Sequence, residues 1–416
     1  MKTLVVFSIV IALGALGPQR ALTNSLEPLW VLGMAGIVAF IFQQRCQRLK
    51  LVPVSGWLCA GIVLGLGGFP LLGPKPSFPI DHTFAIVATW VGFDVGIRMR
   101  WQSPLRWPLL TAIGINSLLV GAAVVVALVL LLELPVWVAA LFGSLASFWG
   151  PIFMGATETS DDELRFASLV GTGTGLVLLT SVLALSYSHG PFGRDALQFA
   201  GKICLSLTCG ALAAEVVRNL KFFATRPSAL AVSMLGVVFV AAAVIVQTGL
   251  LAVMFGLSAG VCLARTPEIC RRSCAVLDTS QPIAFMVLFV LIGVSIDPFS
   301  FTHPPHGFLP IFLVQVAVLL VARLLLPRLS RHLFIGNGRQ AWMWIPRGVL
   351  MFEVANHFNA AGGFLPAPWP QLIRQVVHAE ILLHGLVMAP IALALMEKRH
   401  RPGPEPELAT ATIETQ

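Results

Sequence analysis

Asp94, Arg98, Arg347 and Glu353 stand in or at the ends of otherwise apolar runs. Gly150-Pro151 interrupts another such run, and Gly171-Thr172-Gly173-Thr174-Gly175 opens the next. A charged side chain at the centre of a bilayer costs roughly 2.5–3.5 kcal/mol on insertion scales, so these residues are candidates for moving ions or protons. A Gly-Pro break at membrane depth is tolerated only inside protein or beside a wet cavity, because lipid offers nothing to the freed backbone groups. Broken helices near the midplane are where ion-coupled transporters hold their ions. The plainer alternative is a kinked packing helix whose small residues allow close approach. Asp94 and Arg98 are at i, i+4, which lets them pair; the pair reads either as self-neutralising or as a gate or proton relay. Glu353 reads as the deepest carboxylate. Arg347 precedes it on the same run but on a different helical face, so only a break at Pro346-Arg347 would bring the two together. Thr172 and Thr174 offer hydroxyl oxygens that can coordinate a cation but cannot take up a proton near pH 7. His384 reads as a hydrogen-bonding partner in helix packing, and Lys202 and Glu215 as side chains that reach the interfaces from opposite ends of one run.

The elements that must position these residues are membrane helices. Of 416 residues, 57% are hydrophobic and only 11% charged, less than half the charge of an ordinary soluble domain. Repeated apolar runs near 20 residues complete the case for an all-α polytopic membrane protein in a lipid bilayer. The net charge of +8 is spread over short connections and forms no domain-sized basic patch, which argues against a nucleic-acid partner. Cys270 and Cys274 lie in a basic connection without His and read as free thiols. No metal cluster, cofactor motif or nucleophile–base set is legible, so an enzyme is not expected.

In chain order, residues 1–27 begin with a short apolar run behind one Lys, either a signal peptide or an extra helix. About thirteen crossings follow: 28–45, 52–67, 83–97, 107–131, 136–155, 165–187, 196–217, 228–246, 250–264, 282–296, 308–326, 341–359 and 375–396. The transporter region spans 28–397, and 398–416 is a polar, Pro-bearing tail expected to be disordered. With this count the Arg and Lys clusters at 45–50, 98–106, 218–226, 265–272, 328–339 and 398–401 fall on one side. By the positive-inside rule that side is the cytoplasm, so the C-terminus is cytoplasmic and the chain is multi-pass in the cell (inner) membrane.

An internal repeat relates 28–187 to 228–397. Val54-Ser55-Gly56-Trp57-Leu58-Cys59-Ala60-Gly61 is echoed by Phe255-Gly256-Leu257-Ser258-Ala259-Gly260-Val261-Cys262. Each is followed by a run ending in Gly and an acid, Phe93-Asp94-Val95-Gly96 and Ile292-Gly293-Val294-Ser295-Ile296-Asp297. The copies run in opposite directions through the membrane, the mark of inverted-repeat secondary transporters. The repeat pairs run 136–155, broken at Gly150-Pro151, with run 341–359, interrupted at Pro346-Arg347-Gly348. Corresponding interruptions point to a binding site.

The stretch from Arg48 to Gly65, RLKLVPVSGWLCAGIVLG, resembles the opening signature of the monovalent cation:proton antiporters, in their Kef-like, sodium–proton exchanger branch. Leu257 to Ala264, Ile292 to Asp297, Arg347-Gly348 and the last crossing, ending Met388-Ala389-Pro390-Ile391, are similar to further family motifs in the same order. The resemblance covers about residues 28–397. It implies a core with two crossing broken helices, a separate panel of helices forming a homodimer interface, and exchange of a monovalent cation, Na+ or K+, for protons. The chain departs from the family where the chemistry lies. The family carries an Asp on the helix corresponding to 165–187, whereas Leu164 to Arg194 contains no carboxylate, and the family's Glu after Arg-Gly is Val349 here. Three readings stay open: a cation:proton antiporter with an atypical ion site, a transporter of another solute such as an organic anion on the same fold, and a transport-inactive membrane sensor or assembly protein. If transport is proton-coupled, Glu353 is the expected carrier.

Overall fold

The computed structural model describes residues 27–49, 51–65, 80–98, 107–148, 173–182, 193–220, 227–333, 349–360 and 368–388. All regular structure among the described residues is helical. In chain order the α-helices are α1 (Glu27–Arg48), α2 (Pro53–Leu64), α3 (Ile80–Ile97), α4 (Trp107–Leu132), α5 (Val136–Ala146), α6 (Gly173–Val182) and α7 (Gly193–Leu220). They continue as α8 (Pro227–Thr248), α9 (Ala252–Ala264), α10 (Pro267–Ser295), α11 (Phe308–Leu333), α12 (Val349–Ala360) and α13 (Trp369–Leu382), the last prolonged by a π turn, Leu383–Met388. The stretches Gly114–Leu132, Leu197–Asn219, Leu230–Thr248 and Pro267–Ser295 are each long and apolar enough to cross a membrane. Exposed Leu130 and Leu131 on α4, Leu197 and Leu212 on α7, and Val232 and Val240 on α8 give them the apolar outward faces that lipid requires. The acidic connection 158–163 and the interruptions at Gly150-Pro151 and Pro346-Arg347-Gly348 lie outside the described residues. Helix α5 stops shortly before the first interruption, and α12 starts at the end of the second.

Close packing rests on glycine. Gly92 and Gly96 on α3 meet Gly256 and Gly260 on α9, an i, i+4 pair of glycines on each helix. A Cβ at Gly92 or Gly96 would overlap the carbonyl of Val253 or Leu257, and one at Gly256 or Gly260 would overlap that of Thr89 or Phe93. Helices α2 and α10 repeat the device. A Cβ at Gly65 would stand 2.7 Å from Val294 O, and one at Gly293 2.9 Å from Gly61 Cα. Without a hydrophobic force between helices in lipid, such backbone approach supplies the attraction.

Two elements depart from the sequence reading: α11, expected to end at 326, continues to Leu333 and carries Arg328 and Arg331, and α10 starts early. The crossing expected at 282–296 is the end of a continuous helix that begins at Pro267, so Arg271 and Arg272 ride on α10 instead of lying in a connection. Charge made this stretch read as a loop, but the charges serve the helix. Glu268 and Arg272 pair at i, i+4, 2.8 Å apart, and Asp278 takes a 2.6 Å bond from Arg98 of α3. At 29 residues, α10 is about 43 Å long, against roughly 30 Å of hydrocarbon, so its polar start projects beyond the apolar layer.

Candidate functional site

Among the described residues, polar side chains gather where α7, the α8–α9 turn and α12 meet. Helix α8 ends at Thr248 and the chain reverses through Gly249, whose φ of +64° is the left-handed conformation that glycine adopts without strain. The Leu250 N–H returns to the Ile245 carbonyl at 3.1 Å, closing the helix end in a Schellman arrangement. Helix α9 starts two residues later, and its first amides have no partner within the helix. Its cap position is Leu251, which has no side-chain acceptor to offer. Two neighbouring helices supply them instead. Ser206 Oγ on α7 accepts from Leu251 N at 3.0 Å and donates to the Lys202 carbonyl at 2.6 Å. Glu353 on α12 accepts from Ala252 N through Oε1 and from Val253 N through Oε2, the latter at 3.2 Å.

The Glu353 carboxylate thus sits against the positive end of the α9 dipole, buried to 9% exposure. Helix α12 brings it there because it is apolar almost all round. Leu350, Met351, Phe352, Val354, Ala355 and Phe358 are buried, which fixes the helix inside the protein. His357 is one turn beyond Glu353 on the same side of α12, and its Nε2 lies 3.1 Å from Lys202 Nζ of α7. Phe199 borders this pair, its ring 5.7 Å from that of His357 and 5.5 Å from that of Phe358. Gly249 completes the wall; a Cβ there would stand 3.1 Å from Lys202 Nζ. Lys202 therefore turns inward to His357 instead of reaching for the interface, which corrects the expectation from sequence. Glu215, at the other end of α7, pairs with Arg218 at 2.6 Å on the exposed surface.

The other sequence candidates fall elsewhere. Arg98 Nε donates to the buried Asp94 Oδ1 at 2.7 Å while Arg98 Nη2 reaches the exposed Asp278, so this pair ties the end of α3 to α10. Thr174 is half-buried near the start of α6, where Gly175 packs against Phe148 just beyond α5. Gly150, Pro151, Thr172 and Arg347 lie outside the described residues. His384 Nδ1 is 2.6 Å from the Glu380 carbonyl of its own helix. Sequence reasoning passed over Glu380, fully buried on α13 and deeper by that measure than Glu353, and His378, whose ring stacks on Phe352 at 5.5 Å. The signal was available, since both are ionisable residues inside the last apolar run. No group of three or more His, Cys, Asp or Glu able to hold a metal occurs among the described residues.

No family model matches this sequence, and no curated protein does either. The three-dimensional structure does find a counterpart. The sodium proton antiporter MjNhaP1 from Methanocaldococcus jannaschii, solved at pH 8, matches over 90% of this chain and 97% of its own length, with a TM-score of 0.59. The chain has the sodium–proton antiporter fold. Sequence identity to that structure is 18%, so what the two share is the architecture. That fold accounts for the all-helical build and makes the chain a polytopic membrane protein of transporter architecture.

Proposed function

We propose that this protein is a secondary active transporter that exchanges a monovalent cation, Na+ or K+, for protons, with Glu353 carrying the proton. The observation that carries the reading is the Glu353 carboxylate, enclosed within an antiporter fold at the junction of α9 and α12 and bound to the Ala252 and Val253 amides. Exchange needs one group that can hold either a proton or a metal cation. A carboxylate does this, and the helix that carries one in the resembling family offers none here. The Thr174 hydroxyl at the start of α6 would then add a neutral oxygen for the cation, and Thr172, Gly150-Pro151 and Arg347 remain candidates from the sequence alone. The sequence repeat pairs α2 with α9 and α3 with α10, so it maps the α2–α10 glycine contact onto the α3–α9 one, which supports an inverted repeat.

Reconstitution in proteoliposomes with a pH-sensitive dye tests the function. Imposed Na+ or K+ gradients should drive proton movement, and its absence with both ions would reject the reading. A second reading, uptake of an organic anion, is favoured by the half-buried Lys202 amine at this junction, which suits a carboxylate ligand. Uptake of a labelled carboxylate without proton movement in the cation assay would establish it.

We infer from the one-sided Arg and Lys clusters that the start of α10 and the C-terminus are cytoplasmic in the cell membrane. Cys46 is buried, so labelling must use exposed positions. In a cysteine-free background, an impermeant thiol reagent on intact cells should label His303→Cys and spare Arg271→Cys until the membrane is opened. The opposite pattern would invert the topology. We also infer a homodimer, because the resembling family assembles that way. Mass photometry in nanodiscs should give twice the 44.6 kDa chain mass, and a monomer alone would reject it.

A further inference from the structure

Lys202 and His357 belong to no motif that the sequence announces, yet His357 stands one helical turn beyond Glu353 on α12 and Lys202 of α7 reaches it there. With Nζ and Nε2 3.1 Å apart, one nitrogen must donate and the other accept. Either an ammonium faces a bare Nε2, or an Nε2–H faces a neutral amine. In both arrangements the pair carries at most one positive charge, and the same proton can sit on either side. Exposure is graded outward. Glu353 is buried, whereas Lys202 and His357 are half-buried beside the Gly249 turn. Gly249 leaves room for the amine, because a side chain there would crowd Nζ.

We propose that Lys202 and His357 form a proton-holding pair that loads and unloads Glu353 from the side of the α8–α9 turn. This rests on the reading of Glu353 as the proton carrier. In the transfer step an N–H bond of the cationic pair breaks and an O–H bond forms on the Glu353 carboxylate. The pair becomes neutral as the carboxylate does, so the net charge of the three groups is zero before and after. A proton from water at the turn then recharges the pair. Keeping the junction neutral during transfer avoids the cost of an uncompensated charge in the membrane. Among the described residues, these groups border the junction. Helix α12 contributes Glu353, α7 the Ser206 hydroxyl, and α9 main-chain amides, while α8 holds no ionisable side chain. Glu215 and Arg218 of α7 lie at its far end.

The test is the pH profile of cation-driven proton flux in proteoliposomes, from roughly pH 6 to pH 8. Lys202→Arg keeps a positive charge but cannot release it as a proton, and His357→Gln keeps a hydrogen-bonding group that does not titrate. A permanent charge in place of Lys202 keeps the neighbouring imidazole neutral, and without the imidazole the ammonium loses the neighbour that accepts its proton, so in both Glu353 must take protons directly from water. Flux should then fall in proportion to proton concentration, about tenfold per pH unit, while wild type stays nearly flat across the same range. A wild-type profile in either folded variant would overturn the proposal. So would an equal loss at every pH in both, which marks a packing role. The two substitutions sit on separate helices, so misfolding of one leaves the other to decide. Glu353→Gln in the same assay separates the two claims. If it retains coupled flux, the carrier assignment fails; if it is silent while Lys202→Arg keeps the wild-type profile, only the proton-holding pair fails.

Discussion

Glu353→Gln should reduce cation-driven proton flux to the level of empty liposomes while the protein still folds. The glutamine oxygen can accept from Ala252 N as the carboxylate does, but its NH2 would face the Val253 N–H, donor against donor. That loses one hydrogen bond, about 1 kcal/mol, which a large helical core absorbs. What it cannot replace is a titrating group. Glu353→Asp keeps the acid but shortens its reach to the α9 amides, so partial flux with a displaced pH optimum is expected. The measurement is dye-reported flux at several pH values, with folding checked by size-exclusion chromatography. Full coupling in Glu353→Gln would move attention to the buried carboxylates of Glu380 and Asp94.

The second large effect concerns packing. Gly256→Ala should sharply lower the thermal unfolding midpoint in detergent, because its Cβ would land on the Thr89 carbonyl. Overpacking ordinarily costs about 1–3 kcal/mol, and a backbone neighbour cannot rotate away as a side chain can, which places this site at or above the top of that range. The same helix start holds the Glu353 amides, so displacing α9 from α3 should also lower transport. Gly236→Ala on α8 is the control, since nothing lies within 4 Å of a Cβ there. Equal midpoints for the two variants would contradict the glycine-mediated packing of α3 on α9.

Much of the architecture is legible in sequence because lipid leaves the backbone few options. Apolar runs become helices, whereas the points where those helices touch, at Gly92, Gly96, Gly256 and Gly260, emerge only from the structure. The start of α10 was not legible because its charges look like those of a connection. The Glu268–Arg272 pair and the partnership of Arg98 with Asp278 show that a helix can carry them. Glu353 could be picked out as a carboxylate in an apolar run, but its hydrogen bonds could not. They join residues a hundred positions apart, and no spacing rule connects α12 with the start of α9. Lys202 illustrates the same limit. Near a run's end a lysine reads as snorkelling, and only the approach of α12 reveals His357 as its neighbour.

The central claim is that a cation and a proton compete for Glu353. Proton release from the purified protein tests it most directly, because no membrane or gradient enters the measurement. Adding Na+ or K+ to wild type in weakly buffered detergent solution should release protons to a pH indicator, and Glu353→Gln should release none. Equal release from the two proteins, or none from wild type with either ion, would contradict the account.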